Sequence, residues 1–363
     1  MDLHEGQQPQ ELTIGAVVPG SAGPEMLDLE RAAGIPIPPD RDDKKTSSPL
    51  RDSLRRLRRD KRAMISLGFI LFLVLFAIAG PPIYQHIGGP YVSNVNDETY
   101  YPWDYHNYYH EELDRQHEMP SAQYWLGTDD IGRDILARLM QGTLVSLVVA
   151  LVVEIIDVVF GIIIGVLAGY YGGLIDYLLA GFTDVMFAFP GLLFVILLTG
   201  IFGTSSDDVF SHIPVIGANG NARLLLVSLA LAFTAWPLMA RYVRGQTLQL
   251  KEQQFVEAAR TVGTSDMRII MRHIVPNLFS IVVVAATLDI SSTIVGEAGI
   301  SMLGLGVQAP GSSIGLMIAS GSQYVGVHPW EVLIPCVTLA LIVLAFSFIG
   351  DGLRDAFDPR SKD

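Results

Sequence analysis

An uninterrupted apolar stretch at residues 69–76 reads Phe69-Ile70-Leu71-Phe72-Leu73-Val74-Leu75-Phe76. It is the centre of an apolar run from about Met64 to Ile83, which carries no charged residue between Ile65 and Ala79. About 20 apolar residues in an α-helix cross the roughly 30 Å hydrocarbon core of a bilayer. The run has 63 residues before it, too many for the short charged head of a cleavable signal peptide. We therefore predict a permanent membrane-spanning helix here.

Five further apolar runs have nearly the same length and predict five more crossings. Pro190 and Pro237 lie in or beside the third and fourth runs, where neighbouring helices of a bundle can satisfy the backbone groups that a proline frees. The sequence thus predicts an all-α polytopic membrane protein with six transmembrane helices. The five runs cover about Ser146 to Ala168, Val185 to Phe202, Leu224 to Met239, Leu278 to Val295 and Val332 to Ile349.

Composition agrees with a membrane protein and excludes two other classes. Of the 363 residues, 50% are hydrophobic and 17% are charged, against about 25% charged in soluble domains. The net charge of −13 argues against a nucleic-acid partner, which requires a basic surface. The single cysteine, Cys336, cannot form an internal disulfide, so a disulfide-stapled secreted scaffold is excluded.

Basic residues gather in three clusters that fall on one side of the membrane when six spans are drawn. By the positive-inside rule that side is the cytoplasm, so both chain ends are predicted to be cytoplasmic. The clusters precede the first run, separate the fourth from the fifth, and follow the sixth: Arg51, Arg55, Arg56, Arg58, Arg59, Lys61 and Arg62; Arg241, Arg244, Lys251, Arg260, Arg268 and Arg272; Arg354, Arg360 and Lys362.

The predicted extracellular loop between the first two runs is rich in aromatic and acidic residues. His106 and His110 are four residues apart, so on a helix they would share a face with the spacing of metal ligands. A solvated cluster is one alternative. A folded cap that contacts a partner is another, because aromatic residues are enriched at interfaces.

The end of the same loop has the pattern of an amphipathic helix lying at the membrane surface. Thr128 or Asp129 is its candidate N-cap, and Gly142 its candidate end. Its apolar face would consist of Ile131, Ile135, Leu136, Leu139 and Met140.

Catalytic and metal-site motifs are absent from the sequence. The chain has no G-x-x-x-x-G-K-[ST] phosphate loop, no H-E-x-x-H and no Cys/His zinc spacing. No pattern sets a nucleophile beside a base. We therefore expect a non-catalytic chain with no catalytic residue and no metal ligand.

The cytoplasmic loop at residues 241–276 is the most informative soluble segment. Glu257-Ala258-Ala259 favour a helix, and Gly263 lies where a helix would end in a tight turn. Thr264 or Ser265 can cap a second helix that runs to Pro276. The pattern predicts two short helices with a sharp bend, which either fit a cleft on another protein or cover the end of the bundle.

The spacing of Glu257-Ala258-Ala259, Gly263, Ile274 and Pro276 resembles the EAA motif in membrane subunits of binding-protein-dependent ABC importers. Residues 64–360 as a whole resemble the C-type permease subunit of oligopeptide and dipeptide importers. The other matching stretches are Leu126-Gly127-Thr128-Asp129, Gly132-Arg133-Asp134, Gly169-Tyr170-Tyr171-Gly172-Gly173 with Asp176, Thr183-Asp184, Phe189-Pro190, Met239-Ala240-Arg241, Val243-Arg244-Gly245-Gln246, Glu297-Ala298, Leu303-Gly304-Leu305-Gly306, Pro329-Trp330, Gly350-Asp351-Gly352-Leu353-Arg354-Asp355-Ala356 and Asp358-Pro359.

The resemblance implies a type I ABC importer permease fold and a coupling role for the loop. Glu257 would lie at the contact with an ATP-hydrolysing subunit, Ala258 and Ala259 would allow close approach, and Gly263 would permit the bend. Arg260 and Pro276 belong to the same implied coupling site. The implied partners are a homologous second permease subunit, two subunits that bind ATP and Mg²⁺, and an extracellular, periplasmic or lipid-anchored peptide-binding protein. The implied location is the inner or plasma membrane of a prokaryote, among membrane lipid.

The expected function is therefore ATP-driven import of short peptides, with this chain forming half of the translocation path. Nickel chelates and oligosaccharides are alternative cargoes of the same kind of importer. A secondary transporter is a rival from a different class, but it gives no reason for an EAA loop on the cytoplasmic face. A receptor would need a signalling domain.

Four acidic residues fall within or near the predicted spans, where a charge costs a few kcal/mol. Glu154 and Asp157 share one helical face, and with Asp289 they are candidates for lining the substrate path, where carboxylates could meet a peptide amino terminus. Hydrogen bonding to a neighbouring helix, or protonation, is the alternative. Glu297 is interpreted as structural, holding the turn before Gly304-Leu305-Gly306.

The predicted organisation has five parts. Residues 1–62 form a largely disordered cytoplasmic tail with a basic juxtamembrane segment, and residues 63–83 the first transmembrane helix. Residues 84–143 form the extracellular loop with its amphipathic helix. The permease core occupies residues 144–350, including the coupling loop 241–276, and residues 351–363 form the cytoplasmic C-terminus.

Overall fold

The computed structural model describes residues 49–94, 96–210 and 222–358. The chain divides into two compact units, residues 1–52 and residues 53–363, and the packing below is that of the second. The predicted disordered tail at residues 1–48 lies outside the described residues. The helices and strands are α1 (Pro49–Leu57), α2 (Lys61–Tyr84), β1 (Tyr91–Val92), β2 (Thr99–Tyr100), α3 (Pro102–Tyr105), α4 (Ile135–Tyr171), α5 (Gly173–Ala188), α6 (Gly191–Phe210), α7 (Ala222–Leu250), α8 (Gln254–Thr261), α9 (Asp266–Ile269), α10 (Val275–Met302), α11 (Ile314–Ser322) and α12 (Trp330–Phe357).

Within the described ranges, five helices are long and apolar enough to cross a membrane, and α5 with α6 makes a sixth crossing if that bent pair counts as one span. The five are α2, α4, α7, the joined helix Asp266–Met302 and α12. Each contains one of the predicted apolar runs. The two-residue strands β1 and β2 form a small hairpin outside these spans. The prediction of an all-α polytopic membrane protein is confirmed.

The third predicted run, Val185 to Phe202, is not one straight helix. α5 ends at Ala188, α6 begins at Gly191, and the two helices meet at 75°. Proline has no N–H and disfavours helical backbone in the residue before it. Phe189 accordingly has φ −69° and ψ 131°, so the helix breaks immediately before Pro190. The sequence placed Pro190 in or beside the third run but did not predict this bend.

The predicted surface helix before the second run was wrong at both ends. α4 begins only at Ile135, because the Asp134 carboxylate caps it by accepting hydrogen bonds from two N–H groups of the first turn, over 2.8 and 3.2 Å. The helix then passes through Gly142 and includes the whole second span. A Cβ at Gly142 would lie 3.0 Å from the backbone nitrogen of Ile314, so this glycine permits close packing of α11 rather than ending a helix.

A row of glycines on α4 brings this helix into direct contact with α7. Gly161, Gly165 and Gly169 recur every four residues and so lie on one helical face. A Cβ at Gly165 would lie 2.6 Å from the carbonyl oxygen of Ala240, and one at Gly169 would lie 2.8 Å from Cβ of Thr247. Small residues at such spacing let the backbones of membrane helices approach closely.

The segment between α2 and α4 is a packed cap rather than a metal site built on one helix. α3 ends at Tyr105, so His106 and His110 do not share a helical face. Nδ1 of His106 lies 2.7 Å from Oδ2 of Asp134, and its Nε2 lies 3.1 Å from the carbonyl oxygen of Ile87. The shared helical face on which the metal-site alternative depended is therefore not present at these two histidines. Their spacing arises from a short turn that the cap buries.

The stretch at residues 126–134 combines buried charged side chains with two glycines of positive φ, and it supports the start of α4. Burial raises the pKa of Asp129, but Arg138 and Arg133 outweigh it and hold that pKa below its usual range. Arg133 Nε donates to Asp129 Oδ2 over 2.8 Å, and Arg138 Nη1 donates to the same oxygen. Gly127 and Gly132 have φ of +80° and +79°, and a Cβ at Gly132 would overlap the backbone carbonyl of residue 112.

Candidate functional site

The loop after α7, predicted to be cytoplasmic, forms two helices with a tight bend, as the sequence predicts. α8 carries Glu257, Ala258, Ala259 and Arg260, and α9 begins at Asp266. The turn between them is closed by two backbone hydrogen bonds, from Thr264 N to the oxygen of residue 259 over 3.1 Å and from Gly263 N to the oxygen of residue 260 over 2.9 Å. This pair of bonds is the Schellman motif, and Gly263 supplies its left-handed residue with φ +81°.

The second helix does not end at Pro276 as predicted. α9 continues through a π-helical segment, Ile270–Ile274, directly into α10. Pro276 is the second residue of α10 and directly follows the π-helical segment, in which the N–H of Val275 donates to the carbonyl oxygen of Ile270. The missing N–H of Pro276 removes one backbone hydrogen bond there but does not end the helix. The coupling loop and the fifth span are therefore parts of one helix, Asp266–Met302.

An apolar core fixes the inner side of this loop to the bundle. Val256 on α8 and Ile269 on α9 are fully buried. They belong to one cluster with residues of α4, α7, the π-helical segment and α10, namely Val166, Tyr170, Met239, Val243, Ile270, Ile274, Leu278 and Val282. The loop is thus held rigidly where it meets the membrane helices.

The outer side of the loop presents the predicted coupling residues. Glu257, Ala258, Arg260, Gly263 and Pro276 are exposed, and Ala259 is half-buried. Three apolar side chains that the sequence analysis did not single out lie exposed beside them: Val262, Met267 and Met271. Their exposed fractions of 85%, 59% and 63% are high for apolar side chains, and such patches mark interaction surfaces. The sequence signal that could have identified these three residues is the presence of apolar side chains next to a predicted turn.

Arg260 has a second contact that the motif did not predict. Its guanidinium carbon lies 5.1 Å from the centroid of the Tyr170 ring, and the Tyr170 hydroxyl donates to Oδ1 of Asp266 over 2.7 Å. These contacts tie both helices of the loop to the end of α4. Arg260 therefore braces the loop as well as lying on its exposed side.

The turn between α4 and α5 is held to α7 by paired charges. Gly172 and Gly173 make the turn with φ of +67° and +55°. Arg244 then donates to both carboxylate oxygens of Asp176, and Arg241 donates to Asp184 over 2.7 Å. The sequence analysis recognised all of these positions through the resemblance, but not that they pair.

The three candidate path carboxylates come together inside the bundle. Glu154, Asp157 and Asp289 each place one oxygen within 4.8 Å of the other two. Glu154 is 7% exposed and Asp157 0%. Among the described residues, Oε1 of Glu154 and both oxygens of Asp157 have no hydrogen-bond partner. Helical spacing predicted that Glu154 and Asp157 lie on one face, but only the packing of α10 on α4 brings Asp289 next to them.

Asp289 connects this cluster to open space. It accepts a hydrogen bond from the Ser292 hydroxyl over 2.8 Å and borders a cavity of about 350 Å³. The rest of the lining comes from α7 and α10: Leu238, Met239, Tyr242, Ala285 and Leu288. Of the three carboxylates, Asp289 is the one that lines this cavity.

Glu297 has the structural surroundings that the sequence predicts. Its Oε2 accepts from the Ser146 hydroxyl and its Oε1 from the Ser301 hydroxyl, each over 2.7 Å. Ser301 in turn packs beneath Gly306, where a Cβ would collide with it. The carboxylate therefore joins α4, α10 and the following turn.

Residues 161–363 match the family described as binding-protein-dependent transport system inner membrane component, and residues 48–110 match the N-terminal TM domain of oligopeptide transport permease C. The chain is 34% identical over 325 residues to the dipeptide transport system permease protein DppC of Alkalihalophilus pseudofirmus, covering 90% of this chain and 94% of that protein. The chain belongs to the family of binding-protein-dependent transport system inner membrane components.

A second relative is the glutathione transport system permease protein GsiD of Escherichia coli, 36% identical over 315 residues, or 87% of this chain and 92% of that protein. A solved structure of inward-facing conformations of the MetNI methionine ABC transporter is 20% identical, with a TM-score of 0.46 over 60% of this chain and 96% of that one. The family and its relatives make this chain a multi-pass permease subunit of an ABC importer, and the predicted type I fold class and function are confirmed at that level.

Proposed function

We propose that this permease subunit imports short peptides and transmits the motion of ATP-hydrolysing partners through the loop at α8 and α9. The observation that carries the coupling role is the rigid, exposed surface formed by Glu257, Gly263 and the apolar side chains beside them. A peptide cargo is supported by relatives named for dipeptide and glutathione transport.

The exposed side of the loop would bind a partner, while its buried side is fixed to the membrane helices. Val256 and Ile269 are buried in the bundle, while Val262, Met267 and Met271 are exposed. A partner that binds the exposed side therefore moves the helices to which the buried side is attached. ATP and Mg²⁺ would bind on the partners, since this sequence has no phosphate loop. This chain would be non-catalytic.

The carboxylate cluster supports a cargo that carries a positive charge. Three carboxylates within 4.8 Å of one another repel strongly in a low-dielectric interior unless protons or a cation compensate them. The amino terminus of a peptide is such a cation and could reach Asp289 from the adjoining cavity. We therefore keep Glu154, Asp157 and Asp289 as the proposed path residues.

The proposed assembly has a second, homologous permease subunit, two ATP-binding subunits and a peptide-binding protein outside the membrane. Both ends of this chain would face the cytoplasm, which follows from its three basic clusters. The membrane would be the inner or plasma membrane of a prokaryote.

The decisive experiment measures uptake of a labelled dipeptide by the reconstituted complex with Glu257→Lys. Charge reversal on the exposed face of α8 should abolish uptake and peptide-stimulated ATP hydrolysis while the chain remains at its normal level in the membrane. Glu252→Lys is the matched control, because Glu252 is also exposed in this loop but lies outside the motif. Normal uptake by Glu257→Lys would refute the coupling role.

A further inference from the structure

A second cluster of ligating side chains lies on the side of the bundle opposite the coupling loop. His117 comes from the segment between α2 and α4, His328 from the turn before α12, and Glu331 from the first turn of α12. One ligand atom of each lies within 4.8 Å of the other two. The sequence analysis considered metal binding only at His106 and His110 and gave these three residues no role.

The contacts in this cluster bring the two imidazoles and the carboxylate close together. His117 Nδ1 lies 2.6 Å from Oε1 of Glu331. The rings of His117 and His328 are parallel, with an interplanar angle of 4° and centroids 4.2 Å apart. Glu331 is buried, while 20% of the His117 side chain is exposed, so the cluster is reachable from solvent.

One ligand atom in the cluster is free to bind. Nδ1 of His328 is buried and has no hydrogen-bond partner among the described residues. A buried polar atom without a partner is costly. Its presence beside a second imidazole and a buried carboxylate points to a cation that accepts an electron pair from each of the three groups. Imidazole and carboxylate are together the donor set of zinc and similar divalent transition metals.

Backbone geometry holds His117 in the cluster. Its φ is +56°, a left-handed value that few side chains other than Asn, Asp and His tolerate. The backbone N–H of His117 donates to the carbonyl oxygen of Asp129 over 3.0 Å, so the charged stretch at residues 126–134 fixes the position of His117. His328 and Glu331 are held by their own turn, in which Glu331 N donates to the oxygen of His328 over 3.2 Å.

We propose that His117, His328 and Glu331 form a binding site for a divalent transition-metal ion of the zinc type, with further coordination by water. With bond lengths of about 2.1 Å, the ligand atoms of a tetrahedral zinc site lie roughly 3.4 Å apart. An imidazole binds a metal ion in its own ring plane, so binding requires the stacked rings of His117 and His328 to rotate out of their parallel arrangement. The bound ion would link the cap, which is the segment between α2 and α4, to the first turn of α12.

The test is Zn²⁺ binding to the purified full-length chain in complex with its partners, after removal of metal by chelation. Wild type should bind one Zn²⁺ per chain, and Co²⁺ should give the visible absorption bands of a tetrahedral nitrogen and oxygen site. His328→Asn should lower the affinity for Zn²⁺ at least tenfold. The control is His110→Asn, because His110 also faces a glutamate, Glu112 at 3.4 Å, but lies outside the cluster.

Thermal unfolding gives an independent readout. Zn²⁺ should raise the Tm of wild type and of His110→Asn, since a ligand that binds only the folded state stabilises it, and should leave that of His328→Asn unchanged. His117→Gln is the second variant if His328→Asn does not fold. Wild type that binds no stoichiometric Zn²⁺, or equal affinity in wild type and both cluster variants, would overturn the proposal. Neither result depends on transport activity.

Discussion

Arg244 on α7 donates two parallel hydrogen bonds to Asp176 on α5, from Nε to Oδ1 over 2.5 Å and from Nη2 to Oδ2 over 2.8 Å. Bidentate geometry of this kind is specific to the planar guanidinium and is not reproduced by lysine. The pair fixes the turn at Gly172 and Gly173 to the helix that leads into the coupling loop. The ion pair therefore holds α5 against α7.

Separate and combined replacement of Asp176 by Asn and Arg244 by Gln should reveal a coupling free energy of about 1 kcal/mol, because both side chains are partly exposed and solvent screens the pair. Thermal unfolding of the four proteins in detergent measures it. Strictly additive effects would mean that the pair contributes nothing to stability.

Gly165→Ala should destabilise the bundle by roughly 1–3 kcal/mol through overpacking, since the new methyl group would lie 2.6 Å from the carbonyl oxygen of Ala240. Gly181→Ala is the matched control, because nothing lies within 4 Å of its Cβ position on α5. Unfolding midpoints of the two variants and wild type provide the comparison. Equal midpoints for both variants would contradict the close packing of α4 on α7.

Substitutions at Gly263 should rank by how well they tolerate positive φ, because nothing lies within 4 Å of a Cβ there. Gly263→Ala should cost about 1 kcal/mol, Gly263→Asn less, and Gly263→Val more. Transport by the reconstituted complex should fall in the same order. If the asparagine and valine variants transported equally, the left-handed turn would not matter for coupling.

Low pH should destabilise the cap between α2 and α4 by protonating Glu112. This carboxylate accepts hydrogen bonds from Tyr91 and Ser93, each over 2.6 Å. Burial raises the pKa of Glu112, but those hydrogen bonds outweigh it and the pKa is lowered. Its stabilising contribution is therefore complete above the unfolded pKa of about 4.3 and is lost as pH falls through the lower folded pKa.

Glu112→Gln should accordingly weaken the dependence of unfolding on pH below about 4.5, because it removes this titration. Unfolding midpoints measured from pH 7 to pH 3 would test this. The exposed neighbour Glu111, changed to Gln, serves as control and should leave the profile as in wild type. An unchanged profile in Glu112→Gln would show that the cap is not linked to this carboxylate.

Asp157→Asn and Glu154→Gln should each reduce uptake of peptides with a free amino terminus more than uptake of N-acetylated peptides, because both remove charge from the proposed cation site. Kinetics of both substrates in proteoliposomes separate this effect from a general loss of folding. Unchanged uptake kinetics in both variants would reject the substrate role. The coupling role of Glu257 would be untouched by that result.

The apolar runs and the EAA spacing were sufficient to predict the five long spans and the bend at Gly263. These features depend on local composition, on the length of a bilayer crossing and on the conformational freedom of one glycine. The sequence also predicted the structural surroundings of Glu297 correctly. Its two serine partners could not be identified, because one of them lies on a different helix.

The errors came where two local rules competed. Gly142 was interpreted as a helix end, but tertiary packing against Ile314 uses it inside α4. The bend before Pro190 was not predicted, although Phe189, the residue before this proline, leaves the helix. Pro276 was expected to end a helix, but the helix continues through the π-helical segment Ile270–Ile274 into α10.

The helix Asp266–Met302 contains no break between the coupling loop and the turn at Glu297. Met267 and Asp289 are 22 residues apart on it, about 33 Å at 1.5 Å per residue. If the proposed function holds, a partner that displaces Met267 would therefore also displace Asp289, because one helix carries both residues. The helix has a π-helical segment at Ile270–Ile274, between the two residues. Rotation of this helix would separate Asp289 from Glu154 and Asp157 and so would open the proposed cation site.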